Sequence, residues 1–348
     1  MRSTLDEYLL KVDNLIDYIN ANQNLYIIKD SSKEDGEAPV YIKYNTDINK
    51  RRYDYNLIII TLYGILEGFM EQIIVVYLEN INDYVSNYQS LPEAIQNNHV
   101  VLSADLIKYT KTLSKYENIL VNDIILNLNS CLNGKDKYKI NVDAFTYHSS
   151  NFRKDMIRDF FKNVGVYDIT KNICKAEVFI KFFSFNDGVT EDNVKKYQEN
   201  KFFEYLDDLV ERRNQIAHGL DIDDLLSLEI LTTYGLYLKA LINSIYNILN
   251  FELNKIKFNN NKKYELGKAI KVINNNIICI KNKYFKMKIN DFIYGYNTVT
   301  NELRFGKILS IQINGTEVKE TNCNCDEAIG LKVDFYAKDN LIYYYIEH

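Results

Sequence analysis

The sequence predicts an α+β multidomain chain, an all-α helical bundle followed by a small all-β barrel-like domain. Three observations carry that prediction. Across residues 1–252 apolar side chains recur every three or four positions, the period of helices with one buried face. Pro39 and Pro92 are the only prolines, so little interrupts long helices. From Tyr264 onward the pattern becomes short alternating runs between turn signals, the mark of strands. The expected organisation is a helical domain at 1–252, a linker at 253–263 and a β domain at 264–348.

The elements follow in order. The first helix sets Leu5, Leu9, Val12, Ile16 and Ile19 on one stripe, with Thr4 and Glu7 as a capping box. Asp6 and Glu7 stand where a signal peptide needs an apolar run. A polar loop at 29–53 contains a short extended piece, VYIKY. A long helix at 55–82 follows, and Glu67, Glu71 and Gln72 interrupt its apolar run, which predicts a buried helix of a soluble protein rather than a membrane span. Shorter helices are expected at 103–111, 117–131 and 153–162, while VFIKFFSF at 178–185 fits helix or strand. Strong helical patterns return at 201–218 and 225–250. After the Asn-rich FNNNKK, the strands are AIKVI, IICI, YFKMKI, ILSIQI, LKVDF and LIYYYI, with turns at Asn314-Gly315 and Lys338-Asp339-Asn340.

Composition excludes several function classes. Five cysteines, an odd number without Cys-x-x-Cys spacing, fit a reducing cytosol rather than a disulfide scaffold. Cys323 and Cys325 lack the second pair or histidine that would complete a metal site. No carboxylate–histidine cluster stands at ligand spacing and no Gly-rich phosphate loop is present, so no metal or other cofactor is expected.

One stretch, ERRNQIAHG at 211–219, is out of place on an apolar helix. Phe202, Leu206, Leu209, Ile216 and Leu220 form the stripe expected to be buried, and Arg213 falls on it. A guanidinium cannot shed its charge there, so it needs an anion, a partner chain or a polar cleft. Arg213 and His218 lie about 140° apart around the helix, whereas Asn214 and His218 share a face. Gly219 offers a left-handed C-terminal cap, which puts His218 in the last turn, where the helix dipole favours imidazolium. The alternatives are a capping or surface histidine and a snorkelling or structurally paired arginine.

Residues 213–218 match the Arg-x4-His pattern, with Asn directly after Arg, that marks the HEPN superfamily, and LVERRNQIAHG resembles the form found near the RiboL-PSP-HEPN family. LYGILEGFMEQII resembles the first core helix of these proteins, SSNFRKDMIRDFFKNVGV their middle segment, and the helix at 225–250 takes the place of their last. The resemblance covers most of 1–252 and stops before the β module. It implies an all-α bundle that dimerises with its Arg-x4-His helices near a shared cleft, and a metal-independent endoribonuclease with Arg213 and His218 as the catalytic pair and Asn214 as their polar companion. Such chemistry has the 2′-hydroxyl attack its own phosphate, leaves a 2′,3′-cyclic phosphate and spares DNA. The competing reading is a catalytically inactive HEPN scaffold that binds RNA, nucleotide or a protein partner.

Paired arginines require a counter-charge. Glu67 is the candidate, on a small and acidic stripe with Gly64, Gly68 and Glu71, and Arg212 is a supporting cation; the alternative is that Glu67 and Glu71 mark the helix's solvent edge. His148, His99 and His348 read as capping or surface residues, and Asp221, Asp223 and Asp224 as caps of the next helix. Net charge is −5, so RNA contact depends on local charge. Lys262, Lys263, Lys268, Lys271, Lys286 and Lys288, interleaved with Tyr264, Tyr284 and Phe285, form the expected RNA-binding face, against the reading that lysines protect strand edges. Residues 306–320 resemble part of the second-domain β-barrel of translation GTPases, which implies contact with tRNA, another structured RNA or a protein. The expected partners are RNA, a second copy of the chain, and an antitoxin or phage-derived trigger, in the cytoplasm.

Overall fold

The computed structural model describes residues 1–31, 48–134, 137–220, 224–281, 285–321 and 328–346. The chain divides into two compact units, Met1–Glu252 and Leu253–His348. Among the described residues, ten α-helices precede eight β-strands.

Helix α1 (Arg2–Ser31) buries Leu5, Tyr8, Val12, Leu15 and Ile19, the one-sided spacing the sequence carries. It starts at Arg2, so Thr4 sits inside the first turn, buried, and the expected capping box does not form. Glu7 instead pairs with Lys11 at 2.7 Å, one turn along. Helix α2 (Ile48–Tyr84) also extends into the segment expected to be loop, and VYIKY lies outside the described residues.

Helix α2 is the spine of the first unit. Ile58, Ile59, Leu62, Leu66, Phe69, Met70, Ile73 and Ile74 are all fully buried. By length and composition this helix could cross a membrane, yet 56 % of its apolar window is buried inside the chain, as in the core helix of a soluble protein. Helix α2 packs against α1 and α9 (Glu199–Ala217); the unit's other helices are α3 (Glu93–Thr112), α4 (Val121–Leu132), α5 (Lys154–Lys162), α6 (Ile169–Lys175), α7 (Glu177–Asn186), the single turn α8 (Glu191–Val194) and α10 (Leu228–Asn260). The ambiguous VFIKFFSF is helical: Phe179, Ile180 and Phe183 share the buried side of α7 and Phe185 points to solvent. Helix α10 continues through Asn260, so helical structure covers 253–260, where a linker was expected.

The second unit is an antiparallel sheet of β1 (Lys263–Lys268), β2 (Lys271–Ile273), β3 (Ile277–Lys281), β4 (Phe292–Asn297), β5 (Glu302–Ile313), β6 (Thr316–Val318), β7 (Ala328–Val333) and β8 (Ile342–Ile346). The order is β1-β8-β4-β5-β7-β3-β2, with β6 beside β5. Strand β5 is 12 residues long and pairs with β4 at one end and β7 at the other, so one strand serves both halves of the sheet. A common core of Leu266, Ile278, Ile280, Ile293, Ile308, Leu331 and Tyr343 fills the interior. Asn314 and Gly315 take positive φ of 50° and 78° and close the β5–β6 hairpin, as Asn-Gly between alternating runs demands. The stretch expected as strand YFKMKI forms only a single bridge, Lys288 to Glu320, among its described residues.

Candidate functional site

Helix α9 buries Phe202, Phe203, Leu206, Leu209 and Val210, and then its environment changes. The stripe expected to stay in the core continues as half-buried Arg213 and Ile216 and ends at Leu220, which is 60 % exposed. The last two turns therefore project from the core, which lets a guanidinium occupy an apolar stripe without being sealed from water. The helix closes as the sequence predicts. Gly219, at φ +68°, donates to the Ile216 carbonyl, Leu220 donates to Gln215, and His218 is the exposed C-cap residue.

Arg212 and Arg213 have different surroundings. Arg212 Nε meets Asp208 at 2.6 Å, while its Nη1 donates to Tyr55 Oη and the Asp224 carbonyl at 2.9 Å each. Burial works against that charge, but the hydrogen bonds to Tyr55 and Asp208 outweigh it and hold the pKa above the ordinary guanidinium value. Arg212 is thereby a structural cation. Arg213 places its guanidinium 5.1 Å from the centre of the Tyr63 ring and donates to Asn214 Oδ1 at 3.3 Å. Among the described residues it has no carboxylate partner.

The segment at 147–153 completes the surroundings of Arg213. The Phe152 N–H donates to Tyr63 Oη at 3.1 Å, Tyr63 Oη reaches Asn151 Oδ1 at 3.2 Å, and Asn151 Nδ2 donates to Asn214 Oδ1 at 2.7 Å. Burial pushes the Tyr63 phenol up to about 12, so its proton is retained. Arg153 ties the same segment to α9 through the Asp207 carbonyl at 3.2 Å and Glu211 at 3.2 Å. Asn214 thus joins Asn151 and Arg213, and among the described residues its side chain makes no hydrogen bond to the His218 ring. Nothing in the sequence pattern marks Asn151 or Tyr63 for this role, although Asn151 lies in the segment that resembles the middle part of the family.

Glu67 does not face Arg213 in the single chain. Its carboxylate lies 3.7 Å from His148 Nε2, and Glu71 is closer, at 3.2 Å. His148, expected as a capping or surface residue, has a side chain only 13 % exposed and packs on Phe152 with ring centroids 4.4 Å apart. Its Nδ1 faces the Ser150 carbonyl at 3.0 Å. Burial lowers the pKa of such a ring, but the hydrogen bonds to Glu71 and Ser150 and the nearby carboxylates outweigh it and raise the value. Lys115 meets the same Glu71 oxygen, Oε1, at 2.6 Å. His99 is fully buried between Tyr88 Oη and the Asn141 N–H.

The two glycines on α2 separate in role. A Cβ on Gly68 would lie 2.9 Å from Tyr8 Oη, so that glycine admits α1; a Cβ on Gly64 would meet nothing within 4 Å. Gly64 continues an exposed stripe of Tyr53, Leu57 and Ile60 on the same face of α2. A cavity of about 680 Å³ elsewhere in the unit sets Glu79, Asp83, Asp123 and Asp143 against Lys139, a charge balance that repels a phosphate backbone.

In the second unit Lys262, Lys263, Lys268, Lys271, Lys286 and Lys288 are exposed. Lys262 lies 4.9 Å from the Tyr264 ring centre and Lys263 lies 4.3 Å from that of Phe258, while Lys286 pairs with Glu320 at 2.9 Å. Tyr264 and Phe285 contact each other at 4.7 Å between centroids and pack against the core. Tyr284, Asp221, Asp223, Cys323, Cys325 and His348 lie outside the described residues.

An all-α bundle whose projecting helix carries Arg-x4-His at its end defines a HEPN domain. Residues 13–250 match the RiboL-PSP-HEPN family, and the chain belongs to that family. HEPN domains include ribonucleases, nucleotide-binding domains and inactive members, and they often bind RNA and dimerise. No curated protein matches the chain. The family match ends before the β unit, whose likeness to a GTPase barrel rests on the sequence pattern alone.

Proposed function

We propose that the chain is a cytoplasmic, homodimeric, metal-independent endoribonuclease in which Arg213 binds the scissile phosphodiester and His218 handles the proton. The observation that carries this reading is the contrast between the two arginines. Arg212 is saturated by Asp208, Tyr55 and Asp224, whereas Arg213, one residue on, has an aromatic ring and an amide and, among the described residues, no carboxylate. A guanidinium in that state suits a phosphoryl oxygen. His218, exposed on the last turn, can take the 2′-hydroxyl proton as that oxygen attacks phosphorus. The P–O5′ bond then breaks, leaving a 2′,3′-cyclic phosphate and a 5′-hydroxyl that gains a proton.

Two-fold pairing supplies what one chain lacks. Tyr53, Leu57, Ile60 and Gly64 on α2 and Leu220 beyond α9 leave exposed apolar surface on the two helices that carry Tyr63 and Arg213. A self-complementary contact there covers that surface and sets two Arg-x4-His helices at one groove, with Glu67 as the carboxylate nearest to hand to offset the paired cations. The β unit, with its exposed lysines, is an accessory surface for RNA or a protein. A role as toxin or antiviral effector, controlled by an antitoxin or phage-derived trigger, is the biological setting that fits such an enzyme.

The test is incubation of total RNA with the chain in EDTA, beside His218→Ala. Cleavage by the wild type that disappears in the variant, with 2′,3′-cyclic phosphate ends, supports the enzyme. RNA binding without cleavage by either protein supports the inactive scaffold instead.

A further inference from the structure

The hydrogen bonds around Asn151 have a direction. Tyr63 has one proton, and its oxygen already accepts from the Phe152 N–H at 3.1 Å, so the hydroxyl donates to Asn151 Oδ1 at 3.2 Å. That choice orients the Asn151 amide and turns its Nδ2 to Asn214, 2.7 Å away. Asn214 Oδ1 accepts both this bond and the one from Arg213 Nη1. Its carbonyl end is thus committed inward, and its own NH2 faces away from the network with no acceptor among the described residues. Two donors, one charged and one neutral, then stand side by side.

The segment that holds Asn151 is fixed at both ends. Both partners of His148, the Ser150 carbonyl and the Glu71 carboxylate, are acceptors, so both ring nitrogens donate. Arg153 clamps the other end to Asp207 and Glu211 on α9. Anchors on α2 and α9 leave Asn151 one place to point.

We propose that Asn151 is a positioning residue for the anion site: it holds the Asn214 amide with its NH2 outward beside the Arg213 guanidinium, so that the pair receives two oxygens of one RNA phosphodiester. This rests on the reading of Arg213 as the phosphate-binding residue, and assigns Asn214 to the phosphate rather than to the His218 ring. The substitution Asn151→Asp probes it without changing size. A carboxylate still accepts from Tyr63 but cannot donate to Asn214, so the Asn214 amide inverts and presents its carbonyl to the phosphate.

The experiment is a double-mutant cycle of Asn151→Ala and Asn214→Ala in the full chain, with Asn151→Asp alongside. Two readouts are taken: kcat/KM on a cleavable RNA, and Kd for the same sequence fully 2′-O-methylated, which cannot be cleaved. Each alanine is expected to weaken both readouts about tenfold or more, up to about 10²-fold in kcat/KM. The double variant should be no worse than the weaker single, and Asn151→Asp should match Asn214→Ala. Additive losses overturn the proposal even if the wild type is an active ribonuclease. A lowered melting temperature with Kd unmoved does the same. Non-additive losses in Kd from a wild type that cleaves nothing would uphold the proposal and remove the ribonuclease reading. Failure of the wild type to bind the methylated RNA would overturn both.

Discussion

Arg212 and Arg213 are adjacent in sequence and opposite in surroundings. Arg212 Nε is bonded to Asp208 at 2.6 Å, while the Arg213 guanidinium rests 5.1 Å from the Tyr63 ring centre. A turn of about 100° per residue is what separates them. It directs one side chain to the acidic flank of α9 and the other to the aromatic and amide surroundings at Tyr63 and Asn214.

That separation predicts separable mutant effects. Arg213→Ala should cost about 10²–10³-fold in kcat/KM, the scale for losing one charge-stabilising donor, with stability within about 0.5 kcal/mol of wild type. Arg212→Ala should instead cost about 1–2 kcal/mol of stability by unpairing Asp208 and Tyr55. Arg213→Lys keeps the charge but loses the planar fork and should recover only part of the activity. Single-turnover cleavage with chemical denaturation checks all three; an inactive, fully stable Arg212→Ala beside an active Arg213→Ala would reverse the assignments.

The exposed stripe on α2 predicts a self-association that can be broken without unfolding. Leu57 is 53 % and Ile60 41 % exposed, so charges there cost the isolated unit little. Leu57→Asp with Ile60→Lys should yield a folded monomer by sedimentation analysis and lower cleavage at least about tenfold, because one groove needs two helices. A double variant that remains a dimer would show that the chains pair through another surface.

What could be read in the sequence followed from local chemistry. The period of α9, its Gly219 cap and the Asn314-Gly315 hairpin depend on neighbouring residues, and each took the predicted form. Strand β4 was not legible because Ile293 enters one core cluster and Tyr294 another, so no alternation marks it. The Asn151–Asn214 bond joins residues 63 apart, and nothing in either local pattern announces the other. In the sequence His148 reads as a capping or surface residue because its partners, Glu67 and Glu71, lie far back on α2. Arg213 looked buried because periodicity reveals which residues share a face, but not where the neighbouring helices end.

Two histidines predict opposite pH dependences of stability. Burial pulls the His99 pKa down to about 4 from 6.5, because the folded ring stays neutral while accepting the Asn141 N–H. The unfolded chain binds the proton first, so stability falls as pH drops through that window, by at most roughly 3 kcal/mol. His148 runs the other way. Although burial opposes its charge, Glu71, Ser150 and Glu67 raise its pKa, so its contribution is complete below 6.5 and is lost as pH rises through the raised value. Urea unfolding between about pH 5 and pH 8 should therefore show a maximum, with His99→Gln flattening the acid limb and His148→Gln the alkaline one. A flat wild-type curve would contradict both, and a curve that only rises or only falls would contradict the histidine of the missing limb.

The left-handed cap supplies the last prediction. Gly219 sits at φ +68°, where a Cβ is strained although nothing crowds it within 4 Å. Gly219→Ala should cost about 1 kcal/mol locally and loosen the bonds from Gly219 to Ile216 and from Leu220 to Gln215 that end the helix. His218 is the C-cap residue of that turn, so its ring should lose its fixed approach while Arg213, more than a turn earlier, keeps its seat on Tyr63. The expected signature is a fall in kcat with the Kd for uncleavable RNA unchanged. Equal losses in both would mean that the cap supports binding, and that the proton-handling role of His218 has been placed on the wrong side of the reaction.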